Sequence, residues 1–166
     1  MRMDVVMLVI SMVLFPLLAI SPGQVSAEVI SEQAFRCNPT KPDQLGPMYA
    51  PNAPVRTSVG KGYLLEGVVK SARDCSPIPG ARIEFWLVNL EGNYDDDHRA
   101  TVPVNSSGGY SFESNFPKSY GGRPAHIHVR VTAPGYETLV TQHYPKAGDA
   151  RMTYDLILVP VKGAES

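Results

Sequence analysis

The sequence predicts an all-β fold, a sandwich or a barrel, on two observations. Short apolar runs recur at roughly ten-residue spacing, and clusters of Gly, Pro, Asn, Asp and Ser separate them. No window shows the apolar periodicity of a helix. Because regularly spaced short strands with turn residues between them are typical of sandwiches and barrels, we expect one of these two architectures.

The N-terminal segment 1–27 is predicted to be a secretory signal peptide. Arg2 precedes an apolar run over 5–20, and small residues at 25–27 precede a predicted cleavage after Ala27. The alternative is an uncleaved membrane anchor, but the run is short for a spanning helix and Pro16 interrupts it. We therefore expect a secreted or periplasmic protein with no stable membrane association after cleavage.

Residues 28–58 are predicted to form an extended, proline-rich arm in front of a β-domain over 59–166. Prolines exclude a helix in this segment and favour extended backbone. They are Pro39, Pro42, Pro47, Pro51 and Pro54.

The predicted strands of the β-domain follow in order, each after a loop. The first strand is 63–69 (YLLEGVV). Loops rich in Gly, Pro, Asn, Asp and Ser separate the predicted strands. They are CSPIPG, NLEGNYDDDH, NSSGG, FPKSYGG, PGYE and PKAGDA. The remaining predicted strands are 81–89 (ARIEFWLVN), 109–114 (GYSFES), 125–133 (AHIHVRVTA), 138–144 (TLVTQHY) and 153–161 (TYDLILVPV).

Charge and cysteine content narrow the possible partners and the compartment. The formal net charge is −1, which provides no basic surface for nucleic acid. The two cysteines, Cys37 and Cys75, have one possible intramolecular pairing, and an exported protein favours a disulfide. Two unpaired thiols are the alternative that the sequence leaves open.

The stretch AHIHVRVTA places two histidines two positions apart. In a strand, His126, His128 and Arg130 face one way. Ile127 and the valines after it face the other way, which suits a core. The two imidazoles therefore stand close enough to share one metal ion, although a solvated or structural pair would show the same spacing.

Two tyrosines near these histidines favour a hard metal ion. Tyr120 lies in a glycine-containing loop six residues before His126, and Tyr94 lies in the loop after the second predicted strand. A strongly charged cation can hold a phenol as phenolate. Tyrosinate is a ligand of ferric iron and a poor one for zinc or calcium. The acidic run 95–97 is interpreted as a solvated loop rather than as a cation site.

In these features the chain resembles the intradiol ring-cleavage dioxygenases, the non-haem Fe(III) family of protocatechuate and catechol dioxygenases. GPMYAPNAPVR resembles the N-terminal arm of that family, and LEGVVKSARDCSPIPGARIEFWLVNLEGNYD resembles its first strands and first ligand loop. SYGGRPAHIHVRV resembles its iron-site signature, LVTQHY the strand behind the site and YDLILVP the closing strand. The resemblance implies an antiparallel β-sandwich of the immunoglobulin or transthyretin-like type with long ligand-bearing loops.

The resemblance also implies a role for each matching residue. The metal ligands would be two tyrosinates and two histidines: Tyr94 (equatorial), Tyr120 (axial), His126 (equatorial) and His128 (axial). Arg123 matches an arginine that stabilises charge on the bound catechol, and Gln142 a glutamine lining the same pocket. Without the resemblance, Arg123 would be interpreted as an exposed loop arginine and Gln142 as a polar strand residue.

The implied reaction inserts O₂ between the two hydroxyl-bearing carbons of a catechol and yields a muconate-type diacid. Fe(III) is the implied cofactor, and a catecholic small molecule and O₂ are the implied substrates. The axial tyrosine, Tyr120, would be displaced by the substrate and accept one of its protons. The sequence leaves open which catechol is bound, and whether Tyr49, Trp86 and Tyr144 line the pocket or the core.

The chain departs from the family pattern in two places. FPKSY stands where a Pro-Gly pair usually precedes the axial tyrosine, and the N-terminal helical dimerisation domain of catechol 1,2-dioxygenases has no counterpart here. We therefore expect a stand-alone exported catalytic domain, with homo-oligomerisation left open. Two other functions are alternatives: a secreted transthyretin-like binding module without catalysis, and a cupin-like Fe(II) oxygenase, which would need a carboxylate ligand beside the two histidines.

Overall fold

The computed structural model describes residues 34–46 and 48–163. The predicted signal peptide, 1–27, lies outside the described residues, as do the first residues of the predicted arm. Within the described ranges, no helix is long and apolar enough to cross a membrane.

The described residues form eight strands in two sheets that pack as a sandwich, which confirms the predicted all-β class. In one sheet the order is β4-β1-β7, with β8 also paired to β1, and in the other it is β3-β2-β5-β6. The bounds are β1 Tyr63–Ser71, β2 Arg82–Trp86, β3 Arg99–Pro103, β4 Gly109–Ser114, β5 Ile127–Thr132, β6 Leu139–His143, β7 Arg151–Thr153 and β8 Leu156–Leu158; a short 3₁₀ helix spans Asp96–His98.

Strand β3 was missed by the sequence analysis. It is short, carries Arg99 at its start and Pro103 at its end, and follows an acidic loop, so its apolar run is too brief to stand out. It forms a strand because it pairs antiparallel with β2, where for example Ile83 lies opposite Val102. Long-range pairing therefore decided an element whose local signal is weak.

The last predicted strand, 153–161, is only partly confirmed: β8 occupies Leu156–Leu158 within it, and β7, Arg151–Thr153, begins before it. Both β7 and β8 pair parallel with β1 in one continuous register, Leu64 opposite Arg151 and Val69 opposite Leu156. Between them the Asp155 carboxylate, instead of a main-chain carbonyl, accepts the Val68 amide at 3.0 Å. This side chain replaces a main-chain contact of the ladder and separates β7 from β8. The other pairings between the named strands are antiparallel.

The core lies between the two sheets and is built by alternation along each strand. From β5, Ile127, Val129 and Val131 point into it and are fully buried. Phe85 of β2 and Phe112 of β4 stack across the sheets, with ring centroids 4.3 Å apart. The opposite face of β5, which carries the two histidines, therefore points away from the core.

The arm covers edges that the two sheets would otherwise expose. At β6 the Asp43 amide donates to the Val140 carbonyl at 2.9 Å, and at β8 the Thr40 amide donates to Ile157 at 3.0 Å. Further along the chain, main-chain hydrogen bonds to β3 and β4 come from the arm residues Pro54, Arg56 and Thr57 and from Val59 just after the arm. Because unpaired strand edges recruit other chains, this coverage also protects the monomer from edge-to-edge association.

A disulfide between Cys37 and Cys75 anchors the start of the described arm and confirms the predicted pairing. The Cα atoms are 5.4 Å apart, and the closed loop spans 38 residues. In the chain-entropy model a loop of that length contributes about 4 kcal/mol to the free energy of unfolding. The arm is thus covalently held where it begins to cross the sheets.

One polar pair lies inside the core. The Tyr63 hydroxyl is 2.6 Å from His143 Nε2, and both side chains are buried. Burial lowers the pKa of His143 to about 4, and the nearby Asp149 carboxylate opposes this shift. The imidazole is therefore neutral in the folded protein at neutral pH and joins the two sheets through one hydrogen bond.

This pair predicts a loss of stability in weak acid. The unfolded chain binds a proton at His143 below pH 6.5, whereas the folded chain does so only near pH 4, so acidification favours unfolding across that window. The free energy of unfolding should fall by up to about 3 kcal/mol from this group. Urea unfolding of the metal-free protein at pH 7 and 4.5 measures the loss. His143→Gln, which can still pair with Tyr63, should lose less between these two pH values, and an identical loss would contradict the assignment.

Candidate metal centre

Strand β5 positions the two histidines as its alternation predicts. His126 immediately precedes the strand and His128 is its second residue, and each is 1% exposed on the side opposite the core. In the register of the sheet, His128 lies between Trp86 of β2 and Gln142 of β6. The Trp86 indole stacks on the His128 ring at 4.8 Å and 6°, so the imidazole plane is fixed by packing.

Two structured loops bring the tyrosines to the histidines. In the first, the Asn89 side chain accepts the amides of Glu91 and Asn93 and donates to Asp95, which fixes the loop that carries Tyr94. Asp95 also accepts the His98 amide as the cap of the 3₁₀ helix. The acidic run thus belongs to a loop, as the sequence analysis interpreted it, but it also forms the 3₁₀ helix and its cap, which the sequence analysis did not predict.

The second loop is a tight turn that folds Tyr120 back over the histidines. The Arg123 amide donates to the Tyr120 carbonyl at 2.9 Å. The two residues between them, Gly121 and Gly122, have φ values of 56° and 75°, which glycine adopts without steric cost. The GG pair therefore enables the turn that places Tyr120.

Four donor atoms converge at this point. The Tyr94 hydroxyl oxygen is 2.6 Å from that of Tyr120 and 2.8 Å from His128 Nε2, and the Tyr120 oxygen is 3.4 Å from His126 Nε2. Ligands about 2.0–2.1 Å from one ion, at angles of 90–110°, lie about 2.8–3.4 Å apart. The spacing of the four atoms is therefore close to that of a shared metal ion.

The protonation states suit metal binding. His126 Nδ1 donates to the Pro124 carbonyl at 2.7 Å, which leaves the Nε2 lone pair directed at the tyrosines. Burial lowers the pKa of His126 and lowers that of His128 to about 3, so both rings are neutral. Burial and the adjacent Tyr120 raise the pKa of Tyr94, so its phenol ionises only if a cation replaces the proton.

The donor types favour iron over zinc or calcium. In the described part of the chain, no three His, Cys, Asp or Glu side chains cluster as ligands. An ion held by both histidines would therefore take its other protein ligands from the two phenols. Phenolate with imidazole is suited to a hard, highly charged cation such as Fe(III).

The Arg123 guanidinium lies beside the four donor atoms and is hydrogen-bonded to the neighbouring strand β6. Arg123 Nη2 donates to Gln142 Oε1 at 2.7 Å, and Gln142 is 5% exposed. All six residues that the sequence analysis singled out as catalytic or metal-binding are thus gathered at one place. A cavity of about 550 Å³, lined by residues 119–124, opens over Tyr120 and Arg123.

Comparison with known proteins agrees with the geometry. Catechol 1,2-dioxygenase of Candida albicans is 30% identical over 155 residues, which cover 70% of this chain and 50% of that protein. Chlorocatechol 1,2-dioxygenase of Cupriavidus pinatubonensis is 31% identical over 138 residues, covering 63% and 54%. The chain thus spans about half the length of these two relatives. No family model matches the sequence.

A solved structure matches over almost its full length. The dioxygenase domain of a dioxygenase carbohydrate-binding fusion from Streptomyces sp. SirexAA-E has a TM-score of 0.67 and 28% identity, and the match covers 74% of this chain and 99% of that domain. The chain belongs to the intradiol ring-cleavage dioxygenases. This membership confirms the resemblance read from the motifs and favours an enzyme over a binding module without catalysis.

The structure assigns the aromatic residues of this intradiol dioxygenase that the sequence left open. Trp86 is 2% exposed and packs against His128, and Tyr49 packs on Trp86 with ring centroids 5.2 Å apart. Tyr144 is 41% exposed, with its hydroxyl 3.4 Å from Arg123 Nη2. Trp86 and Tyr49 therefore support the site from behind, and Tyr144 stands at its rim.

The sequence analysis missed the contribution of the arm. Gly46 has a φ of 76°, and a Cβ added there would lie 2.8 Å from His128 Cε1. The arm therefore passes directly over the imidazole, and only glycine leaves room for both. The glycine before Pro47 was the available signal, but nothing in the sequence shows which ring it would meet.

Gly46→Ala should displace the His128 ring. We expect a lower free energy of unfolding and an affinity for the metal ion about 10- to 100-fold weaker, the usual cost of disturbing the support of a ligand. Metal titration followed by thermal unfolding would measure both. Gly80→Ala is the matched control, because φ is 72° there and an added Cβ meets nothing within 4 Å. Equal metal affinities in the two variants would contradict the close approach.

Proposed function

We propose that the chain is a non-haem Fe(III) intradiol dioxygenase that inserts O₂ between the hydroxyl-bearing carbons of a catechol to give a muconate-type diacid. The observation that carries this proposal is the convergence of Tyr94, Tyr120, His126 and His128 beside the Arg123 guanidinium. The relatives named as catechol and chlorocatechol 1,2-dioxygenases support the substrate class.

The four side chains would hold the ion, which when bound supplies Lewis-acid binding of the catechol oxygens and makes the ring reactive toward O₂. Tyr94 and the two histidines lie deepest and would remain ligands throughout. Tyr120 faces the open cavity and makes the longest of the contacts, 3.4 Å to His126. Its phenolate oxygen would accept a proton from a catechol hydroxyl as the substrate takes its place.

Arg123 would stabilise negative charge that develops on the bound catechol. Its guanidinium is a planar cation, and Gln142 Oε1 fixes its position. A cation oriented before the reaction lowers the barrier without having to reorganise during it. Gln142 would therefore act together with Arg123 in the pocket.

We also propose that the mature protein is exported, beginning after Ala27. The Cys37–Cys75 disulfide supports this, since such bonds persist mainly in oxidising compartments.

The two tyrosines should respond differently to substitution. The iron-loaded protein should carry one ferric ion and a tyrosinate-to-iron visible band. Tyr120→Phe should keep iron, weaken and shift the band without abolishing it, bind catechol slowly and lose most of its turnover. Tyr94→Phe should disturb both the metal-only spectrum and the catechol complex. Iron analysis and anaerobic stopped-flow spectra test this, and a colourless stoichiometric zinc protein would rule out the proposed metal.

Arg123→Leu should leave iron content and colour near those of the wild type. Turnover should fall by about 10²–10³-fold, as for the loss of one preorganised charge-stabilising group. O₂ uptake with catechol, protocatechuate and hydroxyquinol provides the measurement. The control is Arg151→Leu, because Arg151 is exposed and pairs only at 3.6 Å with Glu66. Wild-type turnover in Arg123→Leu would remove this residue from the mechanism.

Export predicts a defined mature mass. Intact-mass measurement of the protein from its native host should show a chain starting at Glu28, and reduction should add two mass units as the disulfide opens. A full-length chain with Met1 retained, or thiols that alkylate without reduction, would contradict export.

A further inference from the structure

The position of Arg123 depends on the orientation of the Gln142 amide. Arg123 Nη2 donates to Gln142 Oε1 at 2.7 Å, while Gln142 Nε2 donates to the Gln44 carbonyl of the arm at 2.6 Å. A flipped amide would direct its NH₂ group at the guanidinium and its oxygen at a carbonyl. The arm therefore fixes which end of the amide faces Arg123.

A second contact from the arm reaches Arg123 through Tyr144. The Tyr144 hydroxyl is 2.8 Å from Asp43 Oδ2 and 2.9 Å from Gln142 Oε1. Its single proton can serve one of these acceptors at a time, and an ionised carboxylate is the stronger acceptor. With the proton directed at Asp43, the oxygen lone pairs are free to accept from Arg123 Nη2 at 3.4 Å.

We propose that Asp43 and Tyr144 are positioning residues for Arg123, so that the N-terminal arm forms a working part of the active site. The carboxylate orients the hydroxyl, and the hydroxyl and Gln142 Oε1 together hold one nitrogen of the guanidinium. The disulfide at Cys37 and the main-chain bond from Asp43 to Val140 keep this part of the arm in place. The proposal rests on the proposed role of Arg123.

A double-mutant cycle tests whether Tyr144 acts through Arg123. Tyr144→Phe should lower kcat/KM for catechol about three- to tenfold, the effect of one hydrogen bond, at unchanged iron content. Asp43→Asn should act in the same direction, and the double variant should lose no more than Tyr144→Phe alone. In an Arg123→Leu background, Tyr144→Phe should cost nothing further, because the group that it positions is gone.

Tyr136→Phe and Asp74→Asn are the matched controls. Tyr136 is a partly buried tyrosine packed against the core, and the Asp74 carboxylate caps Ser76 on the surface. Both should keep kcat/KM within about twofold of the wild type, since neither contacts the site. If Tyr144→Phe costs the same factor with and without Arg123, its effect is general destabilisation and the proposal is overturned.

A measurement on the metal-free protein is independent of activity. The rate at which phenylglyoxal labels Arg123, relative to the exposed Arg151 in the same chain, is read by peptide mass spectrometry. Tyr144→Phe and Asp43→Asn should raise this ratio at least about twofold, because a hydrogen bond that restrains the guanidinium is lost. An unchanged ratio overturns the proposal. Should the wild type cleave no catechol, the proposed function fails, and the labelling ratio still decides whether these residues hold Arg123.

Discussion

The site depends above all on the register of β5 between β2 and β6. That register sets Trp86, His128 and Gln142 in one row across three strands. In this row Trp86 stacks on His128, the proposed ligand, and the Gln142 amide accepts a hydrogen bond from Arg123. A slip by one residue would exchange the two faces of β5, moving the histidines into the core and Val129 out of it. The hydrophobic demand of the core therefore also fixes the positions of the two histidines that we propose as metal ligands.

The second constraint on the structure is the N-terminal arm, which is bound to both sheets. Although it has almost no regular structure, it pairs with exposed edges of both sheets and begins at a disulfide. Its residues 43–46 then lie over the site: Gly46 against His128, the Gln44 carbonyl on Gln142 and Asp43 on Tyr144. Edge protection and site assembly are thus performed by the same short stretch of chain.

Burial sets the electrostatics of the centre. The imidazoles are held neutral and the Tyr94 phenol is held protonated, because charge is unfavourable where water is excluded. A cation that displaces the phenol protons reverses this preference. Arg123 lies outside the four donors and lines the open cavity, so its positive charge is accessible from that cavity. This separation of deep ligands from an accessible cation matches the proposed division of labour between holding iron and stabilising substrate charge.

The sequence by itself determined the all-β class, the opposite faces of β5 and, through the resemblance of its motifs, the six residues that meet at the site. Period-two alternation and glycine-rich turns are local signals, so they can be read without the fold. It missed β3, the interruption at Asp155 and the contacts of Asp43, Gly46 and Tyr144 with the site. Tertiary structure alone decided these, because each depends on a partner far away in the chain: Ile83 for β3, Val68 for Asp155 and the β5–β6 face for the arm.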